Sequence, residues 1–196
     1  MILHTLMQFI TTDIQGVTLI KPRRYVDARG YFTETFNKKI FEEHCREINF
    51  VQDNESLSTR GVLRGLHLQS GDFSQAKLVR VVTGRVFDVV VDVRPHSTTF
   101  GKWFGTELSE ENGLMLFVPR GFAHGFLVMS DNARFVYKVD NYYAPQSELT
   151  IRFDDAELDI RWPEMPDGYI LSEKDRDRAL TWREYVKLTN TDKGSK

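Results

Sequence analysis

From about residue 48 to residue 163, short apolar runs alternate with polar positions and are punctuated by Gly, Pro and Asn. Each run predicts a strand. The runs are Lys77–Val82, Arg85–Arg94 after a Thr83-Gly84 turn, Trp103–Leu108, and Leu114–Val118, closed by Pro119-Arg120-Gly121. Phe122–Met129, Ala133–Val139 and Glu148–Phe153 follow, with Asn141–Pro145 as a loop. Short strands at this spacing indicate a β-sandwich or barrel. Successive side chains alternate across a strand. Phe87, Val89, Val91 and Val93 therefore share one face, and Asp88, Val90 and Asp92 the other. Two carboxylates in so apolar a strand must either face solvent or be buried with partners. By the same rule His124 shares a face with Phe122 and Phe126, and Phe135 with Tyr137.

The flanks read differently. Val17–Ile20 is a short strand candidate ended by Pro22, Asp27–Gly30 is a turn, and Tyr31–Phe36 alternates. Asn37 can cap a helix over 38–47, in which Ile40, Phe41, His44, Cys45 and Ile48 recur at helical spacing. That periodicity makes His44 and Cys45 packing residues rather than metal ligands. Gln52-Asp53-Asn54 is a polar triplet that could be a simple turn. Trp162–Gly168 forms a boundary loop, and Ser172-Glu173-Lys174-Asp175 has the form of a capping box with Asp in place of Glu. One helix should run from there to about Val186, with a polar, frayed tail over 190–196. The expected organisation is one domain over 1–196, with a core at about 48–163 and a helical segment at about 172–187.

Composition narrows the function class. Of 196 residues, 41% are hydrophobic and 28% charged, and the formal net charge is −2. No basic block points to nucleic acid and no apolar run approaches the ~18 residues needed to span a bilayer. The single Cys45 excludes an intrachain disulfide. With no secretory pattern at the start, a cytoplasmic location is expected.

The stretch Gly61–Gln69 carries the densest chemistry: Arg64 and His67 in an apolar run framed by glycines, followed by Lys77. The bland alternative is a strand with a satisfied core histidine and two surface cations. A facial metal site needs three N or O ligands. Metal-binding jelly rolls usually carry a second His two residues after the first, then a Glu. Here Gln69 occupies that place and no Glu follows until Glu107. Acid–base chemistry beside a ketone needs a base, a group to hold the enolate oxygen, and an acid. His67 suits the first role, because an unperturbed imidazole titrates at ~6.5. Lys77 suits the second and Tyr137 the third. Tyr137 can equally be a hydrogen-bonded core tyrosine, and Asp175 only a helix cap.

Seven motifs occur in order: Arg29-Gly-Tyr-Phe-x-Glu34, Gln52-Asp53-Asn54, Arg64-Gly-Leu-His67-x-Gln69, Lys77-Leu-Val-Arg80, Gly121-Phe-Ala-His124-Gly-Phe126, Tyr137-Lys138 with Asn141-Tyr-Tyr143, and Leu171-Ser-x-Lys174-Asp175. This series resembles the dTDP-4-dehydrorhamnose 3,5-epimerase family, the nucleotide-sugar epimerase branch of the cupins, over about residues 15–178. The resemblance implies an all-β cupin-type jelly roll, homodimeric and without metal or cofactor. Its substrate would be dTDP-4-dehydro-6-deoxy-D-glucose, inverted at carbons 3 and 5 on the way to dTDP-L-rhamnose. It implies His67 as base supported by Asp175, Tyr137 as acid on the opposite face, and Lys77 as enolate stabiliser. Arg64 and Arg29 would hold the diphosphate, Glu34, Gln52 and Asn54 would contact the nucleoside, and Asp53 would be a further substrate-binding residue. Phe32 or Tyr143 would stack near thymine, His124 and Glu148 would line the sugar end, and Lys174 would reach the nucleotide. Asp88 would back a catalytic histidine.

The first ~14 residues and residues 176–196 depart from the family pattern, whereas the catalytic set is complete. Competing readings are a single-carbon epimerase, a ketoisomerase on the same fold, an inert sugar-nucleotide-binding cupin and a metal-dependent cupin oxygenase. A ketoisomerase needs no acid on the opposite face, so the presence of Tyr137 counts against it.

Overall fold

The computed structural model of the chain describes residues 7–191. The strands are β1 (Met7–Thr11), β2 (Thr18–Pro22), β3 (Tyr25–Asp27), β4 (Gly30–Phe32), β5 (Gln52–Thr59), β6 (Leu63–Gln69), β7 (Lys77–Thr83), β8 (Arg85–Asp92), β9 (Trp103–Ser109), β10 (Met115–Val118), β11 (Phe122–Val128), β12 (Asn132–Val139) and β13 (Glu148–Thr150). The helices are α1 (Lys38–His44), α2 (Glu173–Asp177) and α3 (Trp182–Thr191). A six-stranded sheet, β1-β2-β10-β7-β12-β5, faces a five-stranded sheet, β13-β6-β11-β8-β9, while β3 and β4 form a separate hairpin. This is the jelly roll that the resemblance implies.

Alternation sorts the apolar side chains into three clusters. Val79, Val81, Phe135, Val86, Val90, Phe122 and Phe126 fill the space between the sheets. Leu66, Leu68, Val89 and Val91 turn outward from the five-stranded sheet and meet Trp182 and Tyr185 of α3. Leu78, Met115 and Phe117 turn outward from the six-stranded sheet and meet Phe41 of α1. Asn37 caps α1 by accepting from Ile40 N–H at 3.3 Å, as expected, but the helix ends at His44, three residues early. His44 stacks on Phe9 at 5.0 Å.

Four further expectations change. Met7–Thr11 is an unforeseen edge strand that pairs with β2. Gln52-Asp53-Asn54 is the start of β5 rather than a turn, because all three residues pair with β12. The last strand stops at Thr150 instead of Phe153. The C-terminal helix is two helices. Between them Leu180 N–H donates to Thr150 O and Arg152 N–H to Leu180 O, so the chain leaves helical geometry to pair with β13. Thr181 and Glu184 then form a full reciprocal capping box that starts α3. The expected frayed tail lies, from residue 192, outside the described residues.

Asp92 is fully buried with partners. It accepts from Arg94 Nη2 at 2.6 Å, Ser97 Oγ at 2.5 Å and Thr99 Oγ1 at 2.6 Å. Burial alone would raise its pKa, but these donors bring it down to about 2. The folded pKa lies below the unfolded value, so the stabilisation is present above pH ~4 and lost as pH falls towards 2. Asp92→Asn is therefore expected to cost about 2 kcal/mol at pH 7 and to flatten the acid limb of stability, read by urea unfolding between pH 2 and 7.

Candidate active site

The two inner walls carry complementary groups. On the six-stranded wall, Lys77 shares a face with Val79, and Tyr137 pairs with Val79 from the next strand. On the five-stranded wall, His67 of β6 pairs with His124 of β11, and Arg64 with Phe126. Three steps along β6 thus match two along β11. In a regular strand residues three apart face opposite ways. The extra residue makes a bulge that returns both Arg64 and His67 to the interior. Glycine is required there. Gly65 has φ +132°, and a Cβ on it would lie 2.5 Å from Gly125 Cα.

His67 Nε2 lies 2.5 Å from Asp175 Oδ1. Asp175 sits in the first turn of α2, where it is buried, and its Oδ2 accepts from Ser172 Oγ at 2.8 Å. Burial alone would raise the Asp175 pKa. Hydrogen bonds from His67 and Ser172 and the charge of Lys174 hold it below the usual carboxylate range. An ionised carboxylate only accepts, so Nε2 carries the hydrogen, which makes Nδ1 the nitrogen that can take up a proton from a substrate. Asp175 is thus both a helix-capping partner and the orienter of the histidine.

Burial lowers the Lys77 pKa to about 8 against the opposing charges of Asp88 and Glu148. Burial is also the main cause of a raised Tyr137 pKa, with Arg64 pulling the other way. The phenol therefore stays protonated at neutral pH. Asp88 is fully buried and backs His124 rather than His67: His124 Nε2 lies 2.9 and 3.0 Å from its two oxygens. Burial pushes the Asp88 carboxyl up, opposed by His124 and Lys77.

The rim is tied together at Glu148, which accepts from Tyr143 Oη at 2.7 Å and pairs with Lys174. Gln52 and Asn54 share the inner face of β5, linked through Gln52 Nε2 at 2.8 Å. Asp53 lies between them and so takes the outer face, where it pairs with Lys138 at 2.8 Å. Within one chain it does not join its neighbours. Arg29 and Phe32 are also set apart, on a hairpin whose six strand residues are all exposed. Arg29 pairs there with Asp27. Glu34 is half-buried beside Asn37 at the start of α1. Two supporting groups escaped the sequence reading. The pattern around Ser172 signals only a cap, and Ser58 carries no signal beyond strand alternation.

Residues 11–182 match the family described as dTDP-4-dehydrorhamnose 3,5-epimerase. The chain belongs to this family. The family's enzyme from Methanothermobacter thermautotrophicus is 52% identical over 86% of this chain and 91% of its own length. That of Escherichia coli K12 is 49% identical over 93% of this chain and 98% of its own. The crystal structure of dTDP-4-dehydrorhamnose 3,5-epimerase from Elizabethkingia anophelis superimposes with a TM-score of 0.86 at 50% identity, covering 91% of this chain and 97% of that one. The epimerase family assignment and the jelly roll expected from the motifs are thus borne out. Among the described residues, no group of three His, Cys, Asp or Glu side chains is placed to hold a metal ion, and no helix is long and apolar enough to cross a membrane.

Proposed function

We propose that His67, Lys77, Tyr137 and Asp175 carry out in this chain the reaction of its family, the epimerisation of dTDP-4-dehydro-6-deoxyglucose to dTDP-4-dehydro-L-rhamnose. The observation that carries the role assignment is the placement of base and acid on opposing walls. Facing sheets lie about 10 Å apart, which leaves room for a sugar ring between them. Carbons 3 and 5 both flank the ketone at carbon 4. Nδ1 of His67 takes the proton from either carbon, and Asp175 stabilises the imidazolium that forms. The electron pair moves onto the ketone oxygen, where the Lys77 ammonium holds the enolate. Tyr137 then gives its proton to the same carbon from the opposite face, and the configuration inverts. Each proton has a protein donor or acceptor, and exchange with water then returns His67 to its neutral form and Tyr137 to its protonated form before the next inversion.

Arg64, uncompensated at the mouth, suits the diphosphate; Gln52 and Asn54 suit the nucleoside; and Glu148, His124 and Lys174 line the approach. A homodimer is supported by the exposed apolar side chains of Val26, Tyr31, Phe32 and Leu57. It would also give Arg29, Phe32 and Asp53 a nucleotide to meet that their own barrel does not offer. The shared packing of Leu66 and Trp182 supports a single domain. A cytoplasmic location fits the free Cys45 and the nucleotide-linked substrate.

The test is proton exchange. Protein in D₂O receives the 4-dehydro-6-deoxyglucose nucleotide, and NMR follows label at carbons 3 and 5. Label at both with inversion is expected. Label at carbon 3 alone would make the chain a single-carbon epimerase, and label at neither would sink the catalytic assignment.

A further inference from the structure

Many arginines of the chain are neutralised by a carboxylate, but Arg64 is not, a state it shares with Arg23, Arg24, Arg46, Arg80 and Arg176 among the described residues. Arg29, Arg60, Arg94, Arg120, Arg134 and Arg152 each pair with a carboxylate. Among the described residues Arg64 has no ion-pair partner. What holds it is a neutral hydroxyl: its Nε donates to Ser58 Oγ at 3.1 Å. Ser58 is itself buried at 5% exposure, on an inner-facing position of β5 shared with Gln52, Asn54 and Ser56. It sits opposite Ala133 of β12.

We infer that Ser58 is a positioning residue that presents the Nη1–Nη2 edge of Arg64 to the substrate diphosphate. This rests on Arg64 being the diphosphate ligand. A guanidinium can grip a phosphate side-on, through Nε and one Nη, or end-on, through both Nη groups. Ser58 occupies Nε, which leaves the end-on edge, where one N–H of each Nη points the same way, as the bidentate grip. It also pins a side chain that would otherwise lose several rotatable bonds of freedom on binding. A carboxylate at position 58 would hold the guanidinium equally well but would cancel the charge the phosphates need. A hydroxyl fixes the direction and leaves the charge intact. Ser58 thus acts on binding and leaves the proton-transfer groups alone.

The test measures affinities for dTDP, dTMP and thymidine by calorimetry, together with steady-state kinetics. Ser58→Ala is expected to weaken dTDP binding about five- to twentyfold and to raise KM by a similar factor, with kcat within about twofold and thymidine affinity unchanged. Ser58→Thr, which keeps the hydroxyl, is expected to recover most of the loss. In an Arg64→Ala background Ser58→Ala is expected to add nothing. Three results would overturn the proposal: unchanged dTDP affinity in Ser58→Ala, an equal loss for thymidine, or the same loss in the Arg64→Ala background. The last would mean that Ser58 touches phosphate itself. Unchanged dTDP affinity in Arg64→Ala alone would instead overturn the reading of Arg64, and the proposal with it.

Discussion

His67→Ala is expected to lower kcat by about three to four orders of magnitude and to stop deuterium entering at both carbon 3 and carbon 5. One imidazole serves both carbons in the proposed cycle, so a loss at only one of them would contradict the assignment. Removing the ring also strips Asp175 of a partner at 2.5 Å inside a buried site. A buried carboxylate oxygen left without its partner costs about 1–3 kcal/mol, so the Ala variant combines a catalytic and a stability effect. His67→Asn separates them. Its amide can donate to Asp175, and stability is expected to return while exchange stays absent. NMR in D₂O with a parallel urea titration reads both. Exchange at a near-native rate in either variant would remove His67 from the base role.

Tyr137→Phe is expected to give a different signature. Inversion should fall about 10²- to 10³-fold, because the other donor on that wall, the Lys77 ammonium, is engaged with the enolate oxygen and Tyr137 is the acid left for the carbon. The His67 side is intact, however, so the carbon acid still ionises and is reprotonated from the face it left. Deuterium should therefore enter the recovered substrate with its configuration retained. The measurement is label content in unreacted substrate against label in product. Loss of exchange together with inversion would show that Tyr137 is needed to form the enolate, and the division of labour between the walls would fail. Burial keeps the phenol protonated across the neutral range. The wild-type proton donor is therefore available throughout the neutral range.

Alternation made most of the barrel legible. The two faces of the strand from Arg85, the inward His124, and the pairing of Phe135 with Tyr137 all follow from a period of two. Elements were missed where a local signal was weak or overridden. Met7–Thr11 lacks a strong pattern and is held by pairing with β2. The break before α3 is written in Thr181-x-x-Glu184, which the apolar periodicity of the tail concealed. Gln52–Asn54 reads as a turn because β propensity disfavours Asn and Asp, but an edge strand lined by a polar cavity tolerates them. The site was less legible from the residues alone. Regular alternation would send Arg64 and His67 to opposite faces, and only the bulge at Gly65 reunites them. Asp175 lies 108 positions from His67, and nothing in local spacing pairs them. The ordered motif series supplied that link, and placed Asp88 behind a histidine without saying which.

The link between His67 and Asp175 also sets an order of events in the life of each molecule. Domains form as the chain leaves the ribosome, N-terminal parts first. All the strands of both sheets among the described residues are synthesised by Thr150, yet the carboxylate that pairs with His67 arrives 25 residues later, on a five-residue helix held in place through Leu180. A nascent barrel is therefore complete in outline while its imidazole is still free to turn. In the proposed cycle turnover waits until this C-terminal segment has docked, so epimerase activity is expected to appear later than the closing of the barrel.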